Sequence, residues 1–100
     1  MIRHIVMFKL KEFSTDALKL AAAMDVKKRL DELPSKIGLI RRYSSGIDIR
    51  NLSWSYDIVL TMDFDTMADL DSYTTHPVHQ EFVKFNKDFS VSKVCADYEI

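Results

Sequence analysis

The chain has 100 residues, 47% hydrophobic and 29% charged, with only 2 Gly and 2 Pro, a balance that excludes disordered, collagen-like and solenoid classes and fits one globular domain. A net charge of −1 provides no phosphate-binding surface, because Lys27-Lys28-Arg29 and Arg41-Arg42 are short clusters, with acids beside them at Asp25, Asp31 and Glu32, and read as solvated faces; no nucleic-acid partner is expected. The single cysteine, Cys95, excludes an internal disulfide framework, fits a reducing compartment and reads as a buried structural thiol on a strand.

Residues 2 to 10 alternate, with Ile2, His4, Val6, Phe8 and Leu10 on one face and Arg3, Ile5, Met7 and Lys9 on the other, which predicts a strand with apolar groups on both sides. Arg3, His4 and Lys9 break its apolar run and no small-residue cleavage site follows, so it does not read as a signal peptide. No stretch has the length to span a bilayer, and a cytoplasmic protein is expected.

Ser14-Thr15-Asp16 supplies hydroxyl caps and an acid for a helix N-terminus. Leu18, Ala22, Val26, Leu30 and Leu33 then recur at helical spacing as one apolar stripe, and Pro34 ends the helix by Leu33. Ala21-Ala22-Ala23 gives this helix a thin waist, which either packs closely on a sheet or leaves room beside it. A second strand is expected over 37–45, with Leu39, Arg41 and Tyr43 on one side, followed by a loop from Gly46 to Ser53 in which Asn51 is a turn candidate. The clearest strand runs over 56–64, with Tyr56, Ile58, Leu60, Met62 and Phe64 sharing a face.

Thr66-Met-Ala-Asp69 is a capping-box variant that opens a second helix, ending near Tyr73. Thr74, Thr75 and His76 are poor helix formers, and Pro77 cannot continue the ladder but suits the first position of a new segment capped by His76. That segment carries Val78, Phe82 and Phe85 and ends near Asp88. The last strand is expected over 91–100, with Val94, Ala96, Tyr98 and Ile100 on one face.

The order β-α-β-β-α-β with right-handed crossovers predicts an α+β, ferredoxin-like fold: a four-stranded antiparallel sheet with both helices on one face. The other face, apolar in the first and third strands, needs a cover, and a second copy of the chain provides one. A homodimer is therefore expected, its two sheets curling into a barrel of about eight strands that can hold one small ligand.

The opening Met1-Ile-Arg-His-Ile-Val-Met-Phe-Lys-Leu-Lys11, Leu33-Pro34, the strand Ser55-Tyr-Asp-Ile-Val-Leu60, the element Leu70-x-x-Tyr73-x-x-His76-Pro77-x-His79 and the final Val94-Cys-Ala-Asp-Tyr98 together resemble the stress-responsive A/B-barrel (Dabb) family. The resemblance spans nearly the whole chain and implies a dimeric α/β barrel. The family is similar to polyketide cyclases of the dimeric α/β-barrel type, which catalyse an aldol cyclisation without cofactor or metal. Carried over to this sequence, it implies His4, Tyr73 and His79 as the catalytic set. Val6, Phe8, Leu60 and His76 are the expected substrate-binding neighbours. The cyclases' substrate-shaping bulk has no counterpart at Ala21–Ala23.

If these groups meet in a closed apolar cavity, a neutral His79 can take a proton from carbon beside a carbonyl while Tyr73 donates to the oxygen and His4 orients or relays. Taken singly, each has a structural role instead: His76 as cap, His79 bonded to a backbone carbonyl, Tyr73 and His4 as packing. His76 and His79 stand three apart, a spacing that can share a metal ion, but two ligands are too few, and no metal or cofactor is expected. Two readings follow: a small organic ligand processed as by a cyclase or lyase, or a non-catalytic stress protein acting through assembly or partner binding. A void beside His79 separates them.

Overall fold

The structure, a computed structural model, describes residues 1–100. The strands are β1 (Ile2–Leu10), β2 (Arg42–Ile47), β3 (Ile58–Phe64) and β4 (Ser90–Glu99), and the helices α1 (Asp16–Asp31), α2 (Leu33–Lys36), α3 (Met67–Thr75) and α4 (Pro77–Asn86). The sheet is antiparallel in the order β2-β3-β1-β4, the ferredoxin-like arrangement, with β2 and β4 at its edges.

Register decides which side chains share a face, because residues paired across neighbouring strands project to the same side. His4, Val6 and Phe8 pair with Met62, Leu60 and Ile58, and this side carries the helices. The core lies there: Val26, Leu30, Met62 and Phe64 are fully buried. On the reverse side Arg3, Ile5 and Met7 pair with Asp63, Thr61 and Val59, and with Tyr98, Ala96 and Val94. Nothing covers that side, and Met7, Val59, Val94 and Tyr98 are exposed. Its one tight polar feature is Arg3, whose guanidinium donates to both carboxylate oxygens of Asp63 at 2.8 and 3.0 Å and holds that carboxyl below the ordinary range.

The helices start where their caps stand. Thr15 accepts from the Leu18 N–H and Thr66 from the Asp69 N–H, each at 3.1 Å. The buried stripe of α1 is Ala22, Ala23, Val26 and Leu30, continued by Leu33, while Leu18, expected on it, is 52% exposed. The alanine waist does both things expected of it: Ala22 and Ala23 pack, and a pocket of about 250 Å3 opens beside Ala23.

Three boundaries differ from expectation. The second strand begins at Arg42 rather than at 37, because the Ile37 N–H bonds back to Leu33 O and the Ile40 N–H to Ile37 O, so the segment turns instead of extending. Both isoleucines are buried, which the turn allows and a strand pairing opposite faces to its residues would not. Gly46, expected to open a loop, lies within β2 opposite Val59. Third, β3 starts at Ile58: Asp57 turns its carboxylate onto the Leu10 N–H at 2.8 Å and onto Lys19 Nζ at 2.9 Å, and is 4% exposed. In the loop before it, Asn51 adopts φ 54°, a left-handed turn conformation asparagine tolerates, and its N–H bonds to Asp48.

The helix joint follows expectation closely. His76 has φ −61° and ψ 135°, an extended residue between two helices, and its Nδ1 accepts the Val78 N–H at 3.1 Å. Pro77 begins α4.

The two halves of β4 tell apart what the helices cover. No helix packs along it, and from Val91 to Glu99 every residue is exposed. Cys95 is therefore an exposed thiol and not the buried one expected. The helical layer ends over β1, and β4 projects beyond it as a ledge.

Candidate functional site

Tyr73 stands in the last turn of α3 and His79 in the first turn of α4, so the joint at His76 brings them together. Their rings lie 4.4 Å apart. His4, from β1, places its ring 6.1 Å from that of Tyr73 and 6.5 Å from that of Phe64. The three residues expected to form the site do meet.

Their surroundings set their protonation. Tyr73 is 2% exposed, and burial pushes its phenol well above the usual range, so it is a proton donor at neutral pH. Its hydroxyl makes no hydrogen bond within the chain. No fully buried polar side-chain atom lacks a partner, so this oxygen keeps a narrow opening to solvent. His79 is half-buried, and desolvation lowers its pKa, against the opposing pull of a backbone bond to Thr74. The imidazole is accordingly neutral at pH 7.

The tautomers follow from the partners. A carbonyl only accepts, so the contact of His79 Nδ1 with Thr74 O, at 2.9 Å, places the proton on Nδ1 and leaves Nε2 with a free lone pair. His4 Nδ1 is held by the carboxylate of Asp97, which accepts its proton and fixes the orientation of the ring. His76 is different: its Nδ1 accepts a backbone N–H, so it serves the joint. The Nδ1 atoms of His76 and His79 are thus both engaged with backbone.

Asp97 is the participant not anticipated from the sequence. A signal for it existed. In a ferredoxin-like order the first and last strands pair antiparallel, which sets position 97 opposite position 4.

The location of the site needs correction. The expected cavity was the lumen between two sheets, closed by a second chain. His4, Tyr73 and His79 instead occupy the helix side of the sheet, the opposite face from the one a second sheet can cover. Val6, Phe8 and Leu60, expected to line a cavity, are 6%, 7% and 2% exposed and belong to the packed core, with Phe8 5.9 Å from Phe82 of α4. Two pockets, of about 250 and 410 Å3, border α1 and touch none of these residues. The three side chains gather on the helix side of the sheet, where α3 and α4 meet β1 beside the exposed β4.

A model of the stress responsive A/B barrel domain matches residues 2–100. The chain belongs to that family. An uncharacterised protein of Streptomyces coelicolor is 30% identical over 100 residues, which cover 99% of each chain. A dimeric protein of unknown function from Bacteroides fragilis, with a ferredoxin-like fold, superimposes with a TM-score of 0.85 at 33% identity, covering 99% of this chain and 95% of that one. The hydroxynitrile lyase of Passiflora edulis shares the fold with a TM-score of 0.80 at 17% identity, covering 99% of this chain and 92% of its own. No helix of the A/B-barrel chain is long and apolar enough to cross a membrane.

Proposed function

We propose that this A/B-barrel protein binds a small carbonyl-bearing molecule at Tyr73 and His79 and acts on it as a cofactor-independent lyase or cyclase. The observation that carries this reading is the Tyr73–His79 pair itself: a buried phenol with an unpartnered hydroxyl, 4.4 Å ring to ring from a neutral imidazole whose Nε2 is free. In the proposed step His79 Nε2 takes a proton from carbon beside the carbonyl. The electron pair moves to the carbonyl oxygen, where Tyr73 donates a hydrogen bond. His4, oriented by Asp97, accepts or returns a proton on the second half of the reaction. The lyase from Passiflora edulis supports the reading in that the same fold carries lyase chemistry.

A second reading has its own support. The packed state of Val6, Phe8 and Leu60 favours a non-catalytic protein that works through assembly, and the pockets of about 250 and 410 Å3 lie away from His79. In either case the exposed row of Met7, Val59 and Val94 is proposed as the surface on which two copies pair, in keeping with the dimeric Bacteroides fragilis structure.

A thermal-shift screen of carbonyl compounds on the wild type, His79→Ala and Tyr73→Phe separates the two. A ligand present at a hundred times its Kd stabilises by about 2.7 kcal/mol, and this gain is expected to vanish in both variants. For any such ligand, exchange of the carbon-bound proton in D2O, followed by NMR, is expected to slow by roughly 10²–10⁴-fold in His79→Ala. Ligands that stabilise all three proteins equally would remove this site from consideration.

A further inference from the structure

The ledge of β4 carries chemistry that the Tyr73–His79 pair does not use. Alternation puts Lys93, Cys95 and Asp97 on its helix side, in register with Phe8, Val6 and His4 of β1. Asp97 is spoken for by His4. Lys93 has no carboxylate within ion-pair distance and no hydrogen-bond partner in the chain. Lys19 and Lys27, by contrast, are paired with Asp57 and Asp31. Lys93 is also placed beside the site by two steps of geometry. It pairs with Phe8, whose ring lies 5.9 Å from that of Phe82, one turn beyond His79 on α4. Its charge reaches His79, adding to the burial that already lowers that ring's pKa.

The helix side of β4 therefore has a polarity. At one end stand His4 and Asp97, an imidazole held by a carboxylate. At the other, four residues along the strand, or roughly 13 Å at ~3.3 Å per residue, stands an uncompensated cation. Between them lie the apolar edge of β1 and the small side chain of Cys95. We propose that Lys93 is the anion-recognising end of this site and that its ligand is a carbonyl compound bearing a carboxylate. The carboxylate lies at Lys93 and the carbonyl at Tyr73 and His79. This assignment rests on the carbonyl-binding reading above and adds the class of ligand to it.

Benzoylpropionate, a keto acid, and its uncharged amide make a matched pair of probes. Their binding is read from the His79 and Tyr73 ring signals by NMR in the wild type, Lys93→Met and Lys93→Arg. Cys95, the one thiol, gives a second readout on the same ledge, through the rate of its alkylation by iodoacetamide. The acid is expected to bind about fivefold more tightly than the amide, the strength of a good exposed ion pair, and to slow alkylation of Cys95. Lys93→Met should erase that preference and Lys93→Arg should keep it, and raised salt should weaken it. Equal binding of acid and amide, with both moving the His79 and Tyr73 signals, overturns the role of Lys93 and leaves the carbonyl site standing. If neither probe moves those signals, the carbonyl reading falls, and the carboxylate inference with it.

Discussion

The two faces of one sheet have opposite fates in this chain. On the helix side, β1 and β3 contribute Val6, Phe8, Leu60, Met62 and Phe64, none more than 7% exposed. On the reverse side the same two strands contribute Met7 and Val59, 39% and 36% exposed. Both sets are apolar, so hydrophobicity alone does not say which is core. The position of the helices does, and they reach only as far as β1. Where the layer stops, on β4, the helix side turns polar, and the candidate site sits on that border. The lesson is that coverage of the sheet is incomplete: the candidate site sits where the helices run out, and an apolar surface lies where they never come.

Substitutions can break this contrast. Phe64→Ala, at a fully buried helix-side position, is expected to cost about 3–5 kcal/mol. Chemical denaturation would show it as a lower midpoint with an unchanged slope. Met7→Glu, on the reverse face, should leave the folding of one chain nearly unchanged but weaken pairing on the order of a hundredfold, or about 2.8 kcal/mol. Sedimentation across a concentration series measures that loss, and an unaltered association constant would move the interface elsewhere.

The smallest effect sharpens the border between the two regions. The folded state lowers the pKa of His79, so it favours the neutral ring. The unfolded chain, near the ordinary value of 6.5, binds a proton first as pH falls. The contribution of His79 is therefore complete above that value and is lost as pH drops below it toward the folded-state value. Melting temperatures measured across this window should decline in the wild type and flatten in His79→Gln. A decline that persists in the variant assigns the effect to another group.

Much of this was legible locally. Strict alternation marked β1 and β3, and the caps at Thr15, Thr66 and His76 stand where hydroxyl and imidazole chemistry put them. The meeting of His4 with Tyr73 and His79 follows from the family resemblance, and the three rings do lie together. What failed was non-local. Leu39, Arg41 and Tyr43 alternate as well as any strand, yet Ile37 and Ile40 are spent on a turn whose bonds run back to the preceding helix. Val6, Phe8 and Leu60 were assigned to a lumen because no local pattern tells which sheet face receives helices. Asp97 and the exposure of Cys95 depend on β4 being an uncovered edge, which belongs to the topology and not to any residue.

The joint at His76 has one more implication. The phenol and the imidazole ride on separate rigid rods, and a single extended residue sets the angle between them. The mutual aim of the two rings is thus governed by two backbone dihedrals, held by one imidazole lone pair and one pyrrolidine ring. Such an arrangement is a swivel: replacing the residue at the pivot changes the angle between the two rods, and because Tyr73 and Phe82 belong to the core, the packing beneath them shifts with it.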